Sequence, residues 1–318
     1  MADYPVTEPF DGGLLDVGDG NRIWWEVAGN PNGKPAVLLH GGPGSGSSPG
    51  WRRWFDPERY LIVQFDQRQC GRSKPHAGDS SVADLSANTT DYLIADMETL
   101  RTTLGLDRWL VWGGSWGTTL GLAYAAAHPT RVSETILSSV TTTTRREVDW
   151  VTSQMGRVFP QEWAEFIALV PEAAHTGDIA AAYTRLLRNP DPAVHEPAAA
   201  AWCRWEDTHV ATVPGFEPDP RFEDAKYRLC FARLVTHYWA NTGFRSDDEL
   251  MLGARSLGDI PCVLIHGRLD VSSPLDIPWQ LAQVWPGSEL IVVGDEGHHG
   301  GDAMSGAITA AADRFAAS

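Results

Sequence analysis

The chain has 318 residues, 43% of them apolar, and its formal net charge is −16. This apolar share is ordinary for a folded globular protein and excludes a disordered chain. An acidic surface opposes binding to nucleic acid and to anionic membranes, and no apolar run approaches the roughly 18 residues of a membrane-spanning helix, so neither partner is expected.

The first 144 residues alternate short apolar runs with helical patterns. Five runs are bounded by glycine, proline or polar residues and predict strands at 22–28, 36–40, 61–65, 109–113 and 135–139. Helical patterns lie between them, such as the stretch 91–105, which ends at Gly105, a residue typical of a helix C-terminus. Strands that alternate with helices predict a mostly parallel sheet with helices on both faces.

This alternation stops after residue 144. From 145 to 257 the sequence is rich in alanine and tryptophan and predicts helices only, with amphipathic candidates at 171–189 and 224–239. Strand patterns return at 261–267 and 288–294, and a helical pattern at 302–317 closes the chain. We therefore predict an α/β core formed by residues 1–144 and 258–318, interrupted by a helical cap over residues 145–257. A cleft between the carboxyl edge of a sheet and such a cap is a natural site for a small molecule.

The first residues and the cysteines indicate the compartment. The chain begins MADYPVTEPFDGG, without a basic segment followed by an apolar stretch, so no secretory signal is expected. Its four cysteines, at positions 70, 203, 230 and 262, are scattered and form no CxxC pair, which disfavours a zinc site and a disulfide framework. Reduced cysteines fit a cytoplasmic protein.

A serine surrounded by glycines lies between a predicted strand and a predicted helix. The residues GGSWG at 113–117 match the pattern G-x-S-x-G, which places a nucleophile on a sharp strand-to-helix turn at the edge of an α/β-hydrolase sheet. Small neighbours let the backbone turn without clashes. Ser115 is therefore the candidate nucleophile, and a glycine-rich turn with a capping serine is the alternative.

A serine hydroxyl needs a base and an orienting carboxylate, and in this fold the chain order is Ser, then acid, then His. The segment IHGRLDVSSP places Asp270 just after the strand at 261–267, and VVGDEGHHG places His298 just after the last strand. Because the carboxyl ends of parallel strands meet at one edge, we expect both side chains beside Ser115. His298 is preferred as the base because it directly follows a glycine, and His299 is the alternative.

The reaction also needs amide donors for the negative charge that develops on the carbonyl oxygen, each typically worth about 3–4 kcal/mol. The N–H of Trp116, which follows the nucleophile, is one expected donor. The second is expected from the glycine-rich loop HGGPGSG at 40–46, where we choose Gly42. A phosphate-binding loop is the alternative for these glycines, but the GK[ST] ending of a P-loop is missing.

Longer segments around these motifs resemble the proline iminopeptidases, which are serine aminopeptidases of the α/β-hydrolase fold. The similarity is dense over residues 5–140, in HGGPGSGSSPGW, NTTDYLIADMETLR and VWGGSWGTTLGLAYAAAHP. It resumes in AAAWCRWED, CFARLVTHYW, IHGRLDVSSP and GDEGHHG. The resemblance implies a nucleophile at Ser115, an acid at Asp270, a base at His298 and a helical cap over the site.

The resemblance also implies a substrate. Members of the family release an N-terminal proline from small peptides and hold its free amine with carboxylates from the cap, one of which matches Glu206 in WCRWED. The second is replaced by Val235, because this chain reads ARLVTHYW where the family usually reads ARIENHYF. Trp205 and Trp239, in the same motifs, are expected to form an apolar wall around the proline ring, and Gly41 is also expected at the substrate. Packing between cap helices is the alternative for each tryptophan.

We therefore expect a serine hydrolase that releases an N-terminal proline, or a similar small residue, from a peptide or aminoacyl amide through an acyl-enzyme, with no metal and no cofactor. The missing carboxylate at Val235 leaves open an amidase or esterase that acts on an N-acylated or non-peptide substrate. A non-catalytic ligand-binding protein is the third alternative, although such proteins typically lose one of the three side chains. An epoxide hydrolase or dehalogenase is disfavoured because those enzymes carry an aspartate where this chain has Ser115.

Overall fold

The centre of the molecule is one eight-stranded sheet. The computed structural model describes residues 4–79, 84–210, 212–213, 217–258 and 260–317. Its strands are β1 (Asp11–Asp16), β2 (Arg22–Gly29), β3 (Lys34–Leu39), β4 (Tyr60–Asp66), β5 (Trp109–Gly114), β6 (Val132–Ser138), β7 (Cys262–Gly267) and β8 (Ser288–Val293). They lie in the order β1-β2-β4-β3-β5-β6-β7-β8. β2 runs antiparallel to both of its neighbours, and all other pairs are parallel, which confirms the predicted mostly parallel sheet.

Helices cover both faces of this sheet, as predicted. They are α1 (Thr90–Thr103), α2 (Trp116–Ala127), α3 (Arg145–Thr152), α4 (Pro160–Ile167), α5 (Ile179–Leu187), α6 (Pro192–Val210), α7 (Ala225–Ala240), α8 (Glu249–Ser256), α9 (Asp276–Val284) and α10 (Asp302–Ala316). On one face Val37 packs in a cluster with Leu93 of α1 and Leu120 of α2. On the other, Leu38 packs with Ile308 of α10. Successive side chains of a strand point to opposite faces of the sheet. Because helices bury both faces, apolar residues follow one another along a strand, which explains the continuous apolar runs that predicted the strands.

The first strand is one that the sequence analysis missed. β1 reads DGGLLD, pairs antiparallel with β2, and has only exposed or half-buried residues. A strand at the edge of a sheet has one neighbour and needs no continuous apolar run. Its pattern is therefore too weak to predict, whereas each predicted strand overlaps an observed one.

Between Arg145 and Ser256 the described residues form α3 to α8 and no strand. Helices α3 to α7 share an apolar cluster, in which Phe166, Trp202 and Trp205 are buried. Leu250 and Ala254 of α8 belong instead to the cluster on one face of the sheet. The limits of a core and a cap at residues 144 and 257 stay a prediction. No helix in the described part of the chain is both long and apolar enough to cross a bilayer.

The two helices predicted in this segment agree with the structure to different degrees. The one predicted at 224–239 corresponds closely to α7. The one predicted at 171–189 is shorter, because α5 begins only at Ile179. Asp178 caps it by accepting a hydrogen bond from the N–H of Ala181 at 2.8 Å, which is the usual arrangement at a helix N-terminus.

Glu98 links α1 to α2, the helix that follows Ser115. Its carboxylate accepts two hydrogen bonds from Arg101, both of 2.7 Å, and one from the hydroxyl of Tyr124 at 2.6 Å. These donors, above all Arg101, lower the pKa of Glu98 to about 2. The carboxylate therefore stays charged in the folded protein at a pH where it protonates in the unfolded chain.

We expect Glu98→Gln to lower the free energy of unfolding by about 1–2 kcal/mol at neutral pH, because hydrogen bonds to a charged group are lost. The contribution of the carboxylate is present above its ordinary pKa of 4.5 and is lost as the pH falls towards 2. The difference from wild type should shrink over that interval. Urea unfolding at several pH values measures this difference, with Glu165→Gln, at an exposed position of α4, as the control. An equal difference at acid and neutral pH would contradict the expectation.

Candidate active site

Ser115 lies on a sharp turn between β5 and α2, with φ and ψ of 53° and −124°. This conformation is strained for a residue with a Cβ, at a cost of order 1–3 kcal/mol. Close packing explains the flanking glycines. A Cβ on Gly113 would lie 2.3 Å from the carbonyl oxygen of Gly117, and one on Gly117 would lie 2.3 Å from that of Leu39. The G-x-S-x-G pattern is therefore what lets the turn pack against β3.

Three side chains from separate loops form a hydrogen-bonded line at the carboxyl edge of the sheet. The hydroxyl oxygen of Ser115 lies 2.9 Å from Nε2 of His298, and Nδ1 of His298 lies 2.8 Å from Oδ2 of Asp270. Asp270 lies in the loop after β7 and His298 in the loop after β8. The other oxygen of Asp270 accepts a hydrogen bond from the N–H of Ser273 at 2.8 Å. The structure thus brings together an imidazole, a hydroxyl that it can deprotonate and a fixed carboxylate.

The charges in this line support one another. Burial alone would raise the pKa of Asp270, but the positive charge that His298 can carry and their hydrogen bond lower it below its usual value. Burial lowers the pKa of His298, whereas the carboxylates of Asp270 and Glu206 raise it by more, so the net shift is upward. The carboxylate is therefore charged at neutral pH, and it stabilises the imidazolium that forms when Ser115 gives up its proton.

Two cavities open from Ser115. The larger has a volume of about 580 Å³ and the smaller about 40 Å³. The residues common to both cavities are Gly42, Ser115, Glu206 and His298. The larger cavity alone is lined, among others, by Gly41, Trp51, Trp54 and Trp112. The smaller cavity alone is lined, among others, by Trp116, Val148, Val151 and Trp239. Within the described residues, no group of three or more histidine, cysteine, aspartate or glutamate side chains is placed to hold a metal ion.

His299, the alternative base, lies at the larger cavity. Its side chain is exposed to solvent, and its pKa is lowered by partial loss of hydration at the cavity and by the neighbouring His298. The imidazole nitrogen within hydrogen-bond distance of the Ser115 hydroxyl belongs to His298. Geometry therefore favours His298 of the two.

The glycine-rich loop after β3 passes beside the Ser115 hydroxyl. A Cβ on Gly41 would lie 3.7 Å from the hydroxyl oxygen of Ser115, and Gly42 lines both cavities. Trp116 is the first residue of α2, so its N–H has no acceptor within the helix. Both residues that we expect to donate amides thus lie beside Ser115.

Gln67, which the sequence analysis missed, ties this loop to the helix of the candidate nucleophile. Its side-chain NH₂ donates to the carbonyl oxygen of His40 at 2.9 Å, and its side-chain oxygen accepts from the indole N–H of Trp116 at 3.0 Å. Its backbone N–H donates to Nε2 of His40 at 3.0 Å, so Nδ1 donates to the carbonyl oxygen of Gly41. The residue stands in the motif DQRQCGRS, but only the fold shows its partners.

Two residues expected at the substrate do not reach either cavity. Trp205 stacks on Phe166 with ring centroids 5.1 Å apart, and its indole N–H donates to the carbonyl oxygen of Val151 at 3.2 Å. Val235 is fully buried in the same apolar cluster. The structure therefore places Trp205 in the packing between helices, whereas Trp239 does line the smaller cavity.

Glu206 lies on α6 and lines both cavities. Its Oε2 lies 3.3 Å from Nε2 of His209. Burial alone would raise the pKa of Glu206, but the positive charges that His209, His298 and His299 can carry lower it below its usual value. The site therefore holds a carboxylate suited to a cationic group. His209 and Glu147, which the sequence analysis missed, also line the smaller cavity.

Comparison with known proteins agrees with this geometry. Residues 34–302 match the family described as alpha/beta hydrolase fold. A protein of Streptomyces coelicolor named probable proline iminopeptidase is 49% identical over 320 residues, which cover 99% of this chain and 98% of that protein. The proline iminopeptidase of Xylella fastidiosa is 42% identical over 297 residues, which cover 93% of each chain. These similarities confirm the resemblance that the motifs indicated.

The solved structures add agreement in the fold. The proline iminopeptidase of Mycobacterium smegmatis matches this structure with a TM-score of 0.66 over 96% of this chain and 99% of that one. The two sequences are 18% identical in this comparison. The match therefore establishes a common α/β-hydrolase architecture.

Proposed function

Since the chain belongs to the proline iminopeptidase family, we propose that it is a serine peptidase that releases an N-terminal proline, or a similar small residue, from peptides and aminoacyl amides. The supporting observation is the hydrogen-bonded line of Ser115, His298 and Asp270 next to the carboxylate of Glu206. A nucleophile, its base, an orienting acid and a partner for a cationic amine are the groups that such a reaction requires.

The first half of the reaction forms an ester on the protein. The Ser115 hydroxyl oxygen attacks the carbonyl carbon of the N-terminal residue while Nε2 of His298 takes its proton. Asp270 holds the other nitrogen protonated and stabilises the imidazolium. The negative charge that moves onto the carbonyl oxygen is received by the amides of Gly42 and Trp116. The carbon–nitrogen bond then breaks, and His298 gives its proton to the leaving amine.

The second half releases the residue. Water attacks the ester carbonyl while His298 again takes a proton. When this intermediate collapses, the bond to the Ser115 oxygen breaks and His298 returns the proton to that oxygen. Free proline leaves, and the three side chains are restored to their starting state.

The two cavities divide the substrate between them. The smaller has apolar walls from Val148, Val151 and Trp239, and at about 40 Å³ it must widen to admit a proline ring. We assign the ring to it, with the amine at Glu206. The larger, of about 580 Å³, takes the rest of the peptide. Both open at Ser115, so the bond to be broken lies where they meet.

The cysteines support a reducing compartment. All four, at positions 70, 203, 230 and 262, are buried and form no disulfide. Because disulfides are rare in the cytoplasm and common outside it, we propose a cytoplasmic location.

The requirement for a free amine tests this function. We expect proline p-nitroanilide to exceed N-acetylproline p-nitroanilide in kcat/KM by about tenfold or more, because only the free amine is cationic and pairs with Glu206. Glu206→Gln keeps the shape of the side chain and removes its charge. It should lower the ratio of the two kcat/KM values by about 10- to 100-fold, as expected for a charge-assisted hydrogen bond.

Glu196→Gln is the matched control for this experiment, because Glu196 is an exposed residue of the same helix. It should leave the ratio as it is in the wild type. A wild-type preference for the N-acetylated substrate would contradict the proposed peptidase. That result would support the amidase or esterase, which the valine at position 235 motivates.

A further inference from the structure

His209 is a buried histidine of α6 whose tautomer the structure determines. Its Nδ1 lies 2.7 Å from the hydroxyl oxygen of Ser272, and that hydroxyl oxygen lies 2.9 Å from the backbone carbonyl oxygen of His209. A hydroxyl has one proton and a carbonyl oxygen only accepts, so Ser272 donates its proton to the carbonyl. Nδ1 must then donate to Ser272, which makes Nε2 an acceptor whenever the ring carries a single proton.

This acceptor lies at the smaller cavity without a partner. His209 lines that cavity together with Glu206. The side chain of His209 is 3% exposed, and within the described residues its Nε2 has no hydrogen-bond partner. Nε2 lies 3.3 Å from Oε2 of Glu206, so two acceptors meet at one place. Two buried acceptors side by side are unfavourable unless a donor lies between them, which is either a proton on Nε2 itself or a ligand with two N–H bonds.

We propose, resting on the proposed function, that Nε2 of His209 and the carboxylate of Glu206 together bind the secondary ammonium group of an N-terminal proline. A secondary ammonium has two N–H bonds, one for each acceptor. Glu206 supplies the opposite charge, and His209 supplies the second lone pair. An N-acylated proline has no N–H at this nitrogen and satisfies neither acceptor. His209 is thus a binding residue that selects substrates with a free secondary amine.

Two other residues, Glu147 and Val235, do not offer an unpartnered acceptor to the amine at the smaller cavity. Glu147 lines the cavity, but its carboxylate oxygens already accept hydrogen bonds from hydroxyl and amide groups of Thr141, Thr142 and Thr144. Val235 has no polar atom in its side chain and lines neither cavity. The pair on α6 therefore provides the acceptors for the amine.

Two substrates test the role of His209. One is proline p-nitroanilide, and the other is the p-nitrophenyl ester of cyclopentanecarboxylic acid, an activated ester with CH₂ in place of the ring N–H. We expect His209→Leu to lower the anilide-to-ester ratio of kcat/KM about tenfold, mainly through KM of the anilide. His209→Gln, whose amide oxygen reaches towards the position of Nε2, should retain most of the ratio. Ser272→Ala lets the ring proton move to Nε2 and should fall between the two.

His195→Leu is the matched control, because His195 is also buried on α6 but lines neither cavity. An unchanged ratio in His209→Leu, or an equal fall in His195→Leu, would overturn the role of His209 and leave the proposed function standing. A rise of the ratio in His209→Leu would also overturn it, because a protonated His209 would then be competing for Glu206. The proposed function itself fails on a different result, a wild type that hydrolyses the ester and not the proline anilide.

Discussion

Replacing Ser115 with alanine is expected to lower kcat for proline p-nitroanilide by about 10⁵- to 10⁶-fold. The hydroxyl is the group that forms the covalent bond, and its oxygen lies 2.9 Å from Nε2 of His298. Without it, His298 and Asp270 have no nucleophile to activate. What remains is substrate orientation and the amide donors, which typically preserve about 10³- to 10⁴-fold over the reaction in water. Binding should survive, because the change removes a single oxygen atom.

Labelling separates this loss from a loss of folding. A fluorophosphonate should attach to Ser115 in the wild type and leave Ser115→Ala unlabelled, while circular dichroism stays the same. Ser133→Ala is the control, because Ser133 lies at the opposite end of the neighbouring strand β6. Near-normal turnover by Ser115→Ala would contradict its role as nucleophile. A folded wild type that takes no label would favour a non-catalytic ligand-binding protein.

Most of the fold could be predicted because the sheet is covered on both faces. Every residue of β4 and β7 is buried, and each strand contains a continuous apolar run, 60–63 and 262–265, that stands out in the sequence. β1 lies at the edge of the sheet and has only exposed or half-buried residues, so its sequence needs no continuous apolar run. The start of α5 was predicted too early, because residues Glu172–Ala174 form only a short 3₁₀ helix and α5 begins where Asp178 caps it.

The candidate nucleophile and its partners could be located because each follows a strand of one parallel sheet. Ser115 directly follows β5, and Asp270 and His298 lie in the loops after β7 and β8. Parallel strands end at a common edge, so their order in the chain is enough to bring the loops together. Locating these three residues requires no knowledge of how the helices pack.

The cavity walls depend on helix packing and could not be predicted in the same way. Leu229 to Tyr238 of α7 are all buried, so helical periodicity does not tell which of them lies at the site. Val235 was placed at the substrate by its motif alone and lies instead in the packing between helices. His209 and Ser272 are 63 residues apart, and no local pattern indicates that they meet.

Asp270→Asn is expected to lower kcat/KM by about 10⁴-fold while the fold persists. Asparagine has nearly the same shape as aspartate, but it carries no charge and its NH₂ group donates hydrogen bonds. Nδ1 of His298 can then become an acceptor, which puts the ring proton on Nε2. A ring in that tautomer has no lone pair facing Ser115 and does not act as its base.

The same variant should also change the dependence of activity on pH. Burial lowers the pKa of His298, but Asp270 and then Glu206 raise it, so in the wild type it lies above its usual value. His298 must be neutral to take the proton of Ser115, so the midpoint at which activity rises with pH should lie above the usual pKa of histidine. Removing the charge of Asp270 removes the main upward contribution. The residual activity of Asp270→Asn should then appear at lower pH than that of the wild type, as kcat/KM measured across the titration of histidine will show.

Asp295→Asn provides the control for this pH profile. Asp295 lies close to His298 in the sequence and is exposed, so its variant loses the same charge without losing the hydrogen bond at Nδ1. The acid limb is the part of the pH profile in which kcat/KM rises as His298 loses its proton. If both variants move this acid limb equally, the shift reflects the net charge of an acidic protein and not the carboxylate of Asp270. If Asp270→Asn leaves the limb where the wild type has it, some other group sets the protonation of the base, and Asp270 cannot be the residue that orients and charges His298.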